Sequence, residues 1–286
     1  MLQDYSLPST VDEAVSLLSR NNGGARVIAG GTDLMLDLES GKVSAGCLVD
    51  ISNIGELKKI ALDGGTISIG AGVTHSEVAR SPLIREKAAV LASACRTVGS
   101  LQIRNTGTLA GNVVNAQPAA DGAVALAALG ARAEITGPDG VKVVPVEELY
   151  AGLGKTKVDS TRELLTRITF PALAENQGSA FMRLAQRKAL ALPMLNVAVV
   201  ISMSNGSFEW ARVVMAPVGP CPVRATRAEE MLAGAEVDAE LLKKAAQAAC
   251  AQANPRNSAL RGSRAYRLSV LEVLVRRALE MAVAGA

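Results

Sequence analysis

Two stretches concentrate the residue types that can handle a phosphate-bearing ligand. The first, "RVIAGGTDL", runs from Arg26 to Leu34 and sets an apolar run against Gly30 and Gly31, then Thr32 and Asp33. Glycine tolerates a positive φ and a close approach to the backbone, and successive main-chain N–H groups at such a bend favour an anion. Alone, the stretch fits a plain strand-to-helix turn equally well, since it is neither G-x-G-x-x-G nor a P-loop. The second, "GSLQIRNTGTLAGNVVNAQPAAD", spans Gly99 to Asp121 and carries Gly107, Gly111, Thr106, Thr108, Asn112 and a terminal aspartate. Its apolar residues repeat at neither 3.6 nor 2, which predicts an irregular backbone whose N–H groups need a partner. Two such loops can clamp a pyrophosphate, with Thr32 and Thr108 donating hydroxyls and Asp121 accepting from ribose or adenine. Asp121 can equally cap the Ala-rich helix that follows.

Other chemistries lack the residues they need. Cys47, Cys95, Cys221 and Cys250 are far apart, with no C-x2-C pair to begin a zinc or iron–sulfur site, and read as reduced apolar residues. The single histidine, His75, falls in "VTHSE", where Thr74 and Glu77 have capping-box spacing, so it reads as a first-turn helix residue. A net charge of +3 with interspersed signs and 2% aromatics gives neither a basic stripe nor stacking platforms, so nucleic acid is not an expected partner. Apolar runs such as Val124 to Leu129 are far shorter than the roughly 20 residues that cross a bilayer, and "MLQDYSLPST" has no basic-then-apolar leader pattern. Cytoplasm is the expected compartment.

The elements that must position these loops are well marked. Thr10/Glu13, Thr74/Glu77, Thr226/Glu229 and Ser81-Pro82 predict helices near 10–20, 75–80, 82–95 and 227–233. Strands are predicted at "ARVIAG", "CLVDIS", "TISIGAG", "ARAEIT", "VKVVPV", "ELLTRITF", "LNVAVVIS" and "FEWARVVM". Within this scheme Arg26 to Ala29 is a strand, Thr32 and Asp33 cap a helix, and Asp139-Gly140 turns a hairpin. A polar link at 171–180 suggests a domain boundary, and Leu271, Leu274, Val275, Ala278 and Met281 form the apolar face of a final helix.

With "AGGTDL" at 29–34, "IRNTGTLAGN" at 103–112 and "QPAAD" at 117–121, the chain resembles the FAD-binding medium subunits of the molybdenum hydroxylases, the family of xanthine dehydrogenase and carbon monoxide dehydrogenase. One departure is Ala110, where the family more often has a second glycine before Gly111. The resemblance implies an α+β fold: a vanillyl-alcohol-oxidase (PCMH)-type FAD-binding domain of two α/β subdomains (about 1–55 and 56–174) and a smaller C-terminal α+β domain (175–286). It implies a pyrophosphate loop at Val27, Ile28, Ala29, Gly30, Gly31, Thr32, Asp33 and Leu34. An opposing loop follows at Thr108, Ala110, Gly111 and Asn112, with a nucleotide contact at Asp121 and flavin neighbours at Leu165 and Arg183, with Arg187 and Lys188 close behind. The cofactor implied is FAD. Molybdopterin and [2Fe–2S] clusters would sit on a large and a small partner subunit, and NAD or another carrier would take the electrons. No side chain need act as acid or base. The other readings are a self-sufficient flavin oxidase of the same superfamily, and an interaction module that has lost FAD.

Overall fold

A computed structural model describes residues 2–286. The chain opens with β1 (Asp4–Ser6), α1 (Val11–Arg20), β2 (Ala25–Ile28), α2 (Leu34–Glu39) and β3 (Cys47–Asp50). These strands make a small parallel sheet in the order β1-β3-β2, its register running Ala25↔Cys47 to Ile28↔Asp50. α1 starts where the sequence signals it, because the Thr10 hydroxyl accepts the Glu13 N–H. Asp33 precedes α2, but its carboxylate makes no capping bond, so the expected cap there is corrected.

Then come β4 (Ile60–Asp63), β5 (Thr66–Gly70), α3 (His75–Arg80), α4 (Pro82–Lys87), α5 (Ala89–Thr97), α6 (Leu101–Thr106), α7 (Leu109–Val114), α8 (Asp121–Ala128), β6 (Arg132–Gly137), β7 (Gly140–Pro145), a short pair β8 (Tyr150–Gly152) and β9 (Lys155–Thr156), and β10 (Leu164–Pro171). The strands form a five-stranded sheet, β4-β5-β10-β6-β7, antiparallel throughout. The single helix expected over 82–95 is two helices, since Ala88 sits at φ −159° and interrupts it. The stretch expected to be irregular also folds further than its pattern suggested. Ser100 and Thr108 each accept an N–H three residues on, and two six-residue helices, α6 and α7, flank Gly107-Thr108. The β6–β7 hairpin pairs Gly137 with Gly140, so its two-residue loop is Pro138-Asp139, not Asp139-Gly140.

The remainder comprises β11 (Gln177–Leu184), β12 (Leu195–Ser204), β13 (Ser207–Ala216), β14 (Val223–Arg224), α9 (Thr226–Leu232), α10 (Ala239–Ala251) and α11 (Arg264–Ala284). Its antiparallel sheet has the order β11-β12-β13-β14. Within "LNVAVVIS" the run from Val197 to Ile201 is apolar at every position because both faces of β12 are covered. Ala198 and Val200 join the core of the preceding layers, while Val197, Val199 and Ile201 join a second core with α9, α10 and α11. On α11 the expected apolar face holds at Leu271, Leu274, Val275 and Ala278, but Met281 is exposed and Leu279 and Ala282 are buried in its place. β11 lies so close to α11 that a Cβ at Gly178 would come 1.8 Å from the Ala282 carbonyl oxygen.

Candidate functional site

The two glycine bends meet. A Cβ built on Gly30 would stand 2.0 Å from the Thr106 carbonyl oxygen and 2.9 Å from the Gly107 Cα. Gly30 is therefore glycine because the second bend presses on it, a reason the sequence could not show. Gly31 is glycine for another reason: its φ is +67°, a conformation that costs a residue with a Cβ. Beyond it, the Met35 N–H donates to the Gly31 carbonyl at 3.0 Å and starts α2. Main-chain N–H groups of Gly30, Gly31, Thr32 and Asp33 find no acceptor among the described residues. Those of Thr108 and Ala110 find none either. The second bend is fixed from behind. His75 N–H donates to the Gly107 carbonyl at 3.0 Å and Leu109 N–H to the Val73 carbonyl at 3.1 Å, which turns the Thr108 amide the other way. Thr108 Oγ1 accepts the Gly111 N–H at 3.0 Å, and its own hydroxyl proton stays available.

Beside the bends opens a mostly apolar slot. Val27 and Ala29 line it from the first sheet, Thr108, Ala110 and Gly111 from the second bend, and Leu165 from β10. Four more lining residues, Ile51, Ala71, Val158 and Ser160, come from segments with no motif. Only the fold brings them there, although Ser160 has a visible tie, its carbonyl accepting the Val27 N–H at 3.3 Å. Ile28 and Leu34 turn away from the slot and pack on Leu48. Asn112 has a buried Oδ1 without a partner among the described residues, facing Gly122 across the α7–α8 contact.

Asp121 and Arg183 are brought together in a way the sequence did not suggest. Asp121 is 4% exposed, and its carboxylate accepts from Arg183 Nε at 3.0 Å, Asn196 Nδ2 at 2.6 Å and the Thr97 hydroxyl at 3.2 Å. The same guanidinium donates to the Ala191 carbonyl. Engaged by these donors, this carboxylate does not cap α8. It ties α8 and α5 to β11 and β12. The cation expected beside a flavin is likewise neutralised by its own partner. Arg187 lies on the exposed stretch that follows, donating to the Leu190 carbonyl.

His75 is 2% exposed at the start of α3, behind a complete Thr74–Glu77 capping box. Burial, with the Arg104 charge as a lesser cause, pushes its pKa down to about 4, so the ring is neutral near pH 7. Its Nδ1 has no partner among the described residues. The four cysteines are all free, with Cys47 and Cys95 buried. Among the described residues no helix is long and apolar enough to cross a membrane.

An amide-lined bend opposite a second one, next to an apolar slot, has the donors a diphosphate needs and the surface a flat ring needs. Comparison with known proteins then decides the family. A family model described as the FAD binding domain in molybdopterin dehydrogenase matches residues 1–173. The chain belongs to that family. A second model, the CO dehydrogenase flavoprotein C-terminal domain, matches residues 180–282. The carbon monoxide dehydrogenase medium chain of Afipia carboxidovorans is 32% identical over 283 residues, which cover 99% of this chain and 97% of that one. The xanthine dehydrogenase FAD-binding subunit of Escherichia coli O157:H7 is 29% identical, with 99% and 96% covered. A solved carbon monoxide dehydrogenase from Hydrogenophaga pseudoflava includes a chain similar at a TM-score of 0.94 and 30% identity, covering 100% of this chain and 99% of that chain. The chain is thus an oxidoreductase component with a PCMH-type FAD-binding fold followed by a flavoprotein C-terminal domain, as its motifs implied.

Proposed function

We propose that this chain is the electron-relaying flavin subunit of a molybdenum hydroxylase or dehydrogenase complex, and that main-chain amides hold the diphosphate of its FAD. The observation that carries this reading is the closure of Gly30 on Thr106, which sets the unpartnered N–H groups of Gly30 to Asp33 beside those of Thr108 and Ala110. Val27 to Leu34 then form one wall of the site and Thr108 to Asn112 the other. Leu165, with Val27 and Ala29, offers the apolar surface of the slot. The methyl of Ala110, which is 5% exposed, is part of that surface. Asp121 and Arg183 position the site from behind, by holding α8 against β11, and need not touch the ligand. Residues 1–174 constitute the flavin-binding unit, with subdomains of about 1–55 and 56–174, and 175–286 the C-terminal unit.

FAD held by these residues would supply the exchange between one-electron donors such as [2Fe–2S] clusters and a two-electron acceptor such as NAD or another carrier. Protein groups bind and orient it, and none is required to move a proton. The four scattered cysteines provide no cluster ligand set. The clusters therefore belong to a small partner subunit, and the molybdopterin that meets the substrate to a large one. The named relatives act on carbon monoxide and on xanthine, a breadth that suits a subunit which does not choose the substrate.

The test is reconstitution. Assembled with the molybdopterin and [2Fe–2S] subunits, the chain should let reducing substrate bleach the flavin band and drive an external acceptor. Without the chain, clusters should still be reduced and acceptor turnover should stop. Acceptor turnover at full rate without this chain would defeat the proposal.

A further inference from the structure

The basic residues are unevenly spread along the chain. Segments 96–106, 183–194 and 254–267 hold nine of its 30 lysines and arginines and none of its 27 aspartates and glutamates, which leaves the rest of the chain acidic in balance. The fold brings the three segments together. Leu190 N–H donates to the Gly99 carbonyl at 3.3 Å, Gln186 Nε2 donates to the Leu260 carbonyl at 2.7 Å, and a Cβ on Gly262 would lie 3.4 Å from Met194 Cε. Arg183 is paired with Asp121 and Arg267 is buried, but Arg96, Arg187, Lys188, Arg256 and Arg264 are exposed. Among the described residues none of those five forms an ion pair.

The same segments leave large apolar side chains in water. Leu101, Leu190, Leu192 and Leu260 are 49%, 57%, 67% and 76% exposed. Exposed apolar side chains rimmed by charge mark a surface that meets another molecule. The charge says which kind of meeting. A permanent subunit interface is apolar and poor in charge at its centre, whereas a partner that must find its site anew at each turnover gains from long-range attraction. This face, rich in cations on a chain otherwise acidic in balance, has the second character. Its place agrees with that. Segment 96–106 ends on Thr106, whose carbonyl meets Gly30, so a molecule seated here borders the glycine bends.

We infer that this face receives the electron acceptor, and that the acceptor is a small acidic electron-carrier protein with an apolar patch inside its acidic rim. The inference rests on the flavin reading above and names the acceptor which that reading leaves open. The cations draw the carrier in, and the leucines exclude water from the centre of the contact. Two carriers, each reduced by one electron, together reoxidise one two-electron-reduced FAD, and its protons pass to solvent.

The test uses the assembled complex with its reducing substrate, an acidic [2Fe–2S] ferredoxin as the probe and the uncharged quinone menadione as the control acceptor. The kcat/KM for ferredoxin should fall about tenfold between about 0.02 M and about 0.5 M sodium chloride, while menadione reduction barely changes. Arg256→Glu/Arg264→Glu should lower kcat/KM for ferredoxin at least about fivefold at the lower salt and converge on the parent at the higher. Menadione turnover, FAD content and subunit assembly should stay as in the parent, since glutamate at 264 also suits the first turn of α11. Leu260→Ser supplies a second comparison, raising KM for ferredoxin without altering its salt dependence. Ferredoxin reduction indifferent to salt or to the charge reversal would overturn the inference. So would loss of the small subunit from the charge-reversed complex, which makes the face a permanent interface. Binding to phosphatidylglycerol vesicles that the reversal abolishes, while ferredoxin turnover persists, would assign the face to a membrane instead. Menadione turnover by the parent reads the flavin relay by itself, and so separates failure here from failure of that reading.

Discussion

Replacing Gly30 with alanine perturbs the closure on which the site depends, and the structure sets its size. The new Cβ would lie 2.0 Å from the Thr106 carbonyl oxygen, where ordinary contact begins at 3.4 Å, so the bends must part by about 1.4 Å. Both sides of the contact are main chain, and neither can swing away as a side chain would. A separation of that size moves the Thr108 and Ala110 amides out of hydrogen-bond reach of an anion held by Gly30 to Asp33. A hydrogen bond to a charged group contributes about 1.5–3 kcal/mol, so losing two weakens FAD binding by about 3–6 kcal/mol, or about a hundredfold to ten-thousandfold. The assay is fluorescence titration of FAD into the deflavinated variant, with circular dichroism to establish that it is folded. Gly55→Ala is the control, because a Cβ there meets nothing within 4 Å. A folded Gly30→Ala chain that binds FAD within threefold of the parent would refute the reasoning.

Other perturbations test the supporting structure. Arg183→Met strands the 4%-exposed Asp121 carboxylate and should destabilise the chain by about 3–5 kcal/mol in urea unfolding. Adding Asp121→Asn should recover part of that loss. His75 is the only histidine, and its pKa near 4 lies below the free value of 6.5, so the unfolded state takes up the proton first. Its contribution is whole above pH 6.5 and declines as the pH falls towards about 4, reaching a loss of about 2 kcal/mol by pH 5. His75→Gln should flatten the stability profile in that window. Gly178→Ala drives a methyl to 1.8 Å from the Ala282 carbonyl and should cost about 3 kcal/mol, seen as a lower urea midpoint.

Local signals carried as far as local physics reaches. Capping boxes located α1 and α3, and β-branched runs located β10, β12 and β13, because these depend on neighbours in sequence. The short helices α6 and α7 escaped the periodicity, since six residues hold too few turns for a pattern to repeat, and only the hydroxyls of Ser100 and Thr108 announced them. At the site, the glycines were legible as glycines but the reason for one was not. Gly31 declares a backbone conformation of its own, whereas Gly30 answers to Thr106, 76 positions away. Asp121 shows the reach of non-local partners: nothing in its neighbourhood of the sequence, a carboxylate at the start of an Ala-rich helix, reveals that Arg183 and Asn196 fold over it from another sheet.

The most direct test of the account is hydrogen exchange at individual main-chain amides with and without FAD. Slowed exchange at Gly30, Gly31, Thr32, Asp33, Thr108 and Ala110, with ADP alone reproducing it, is the predicted result. FAD that binds while those six amides exchange as fast as before would contradict the claim that main-chain donors hold its diphosphate.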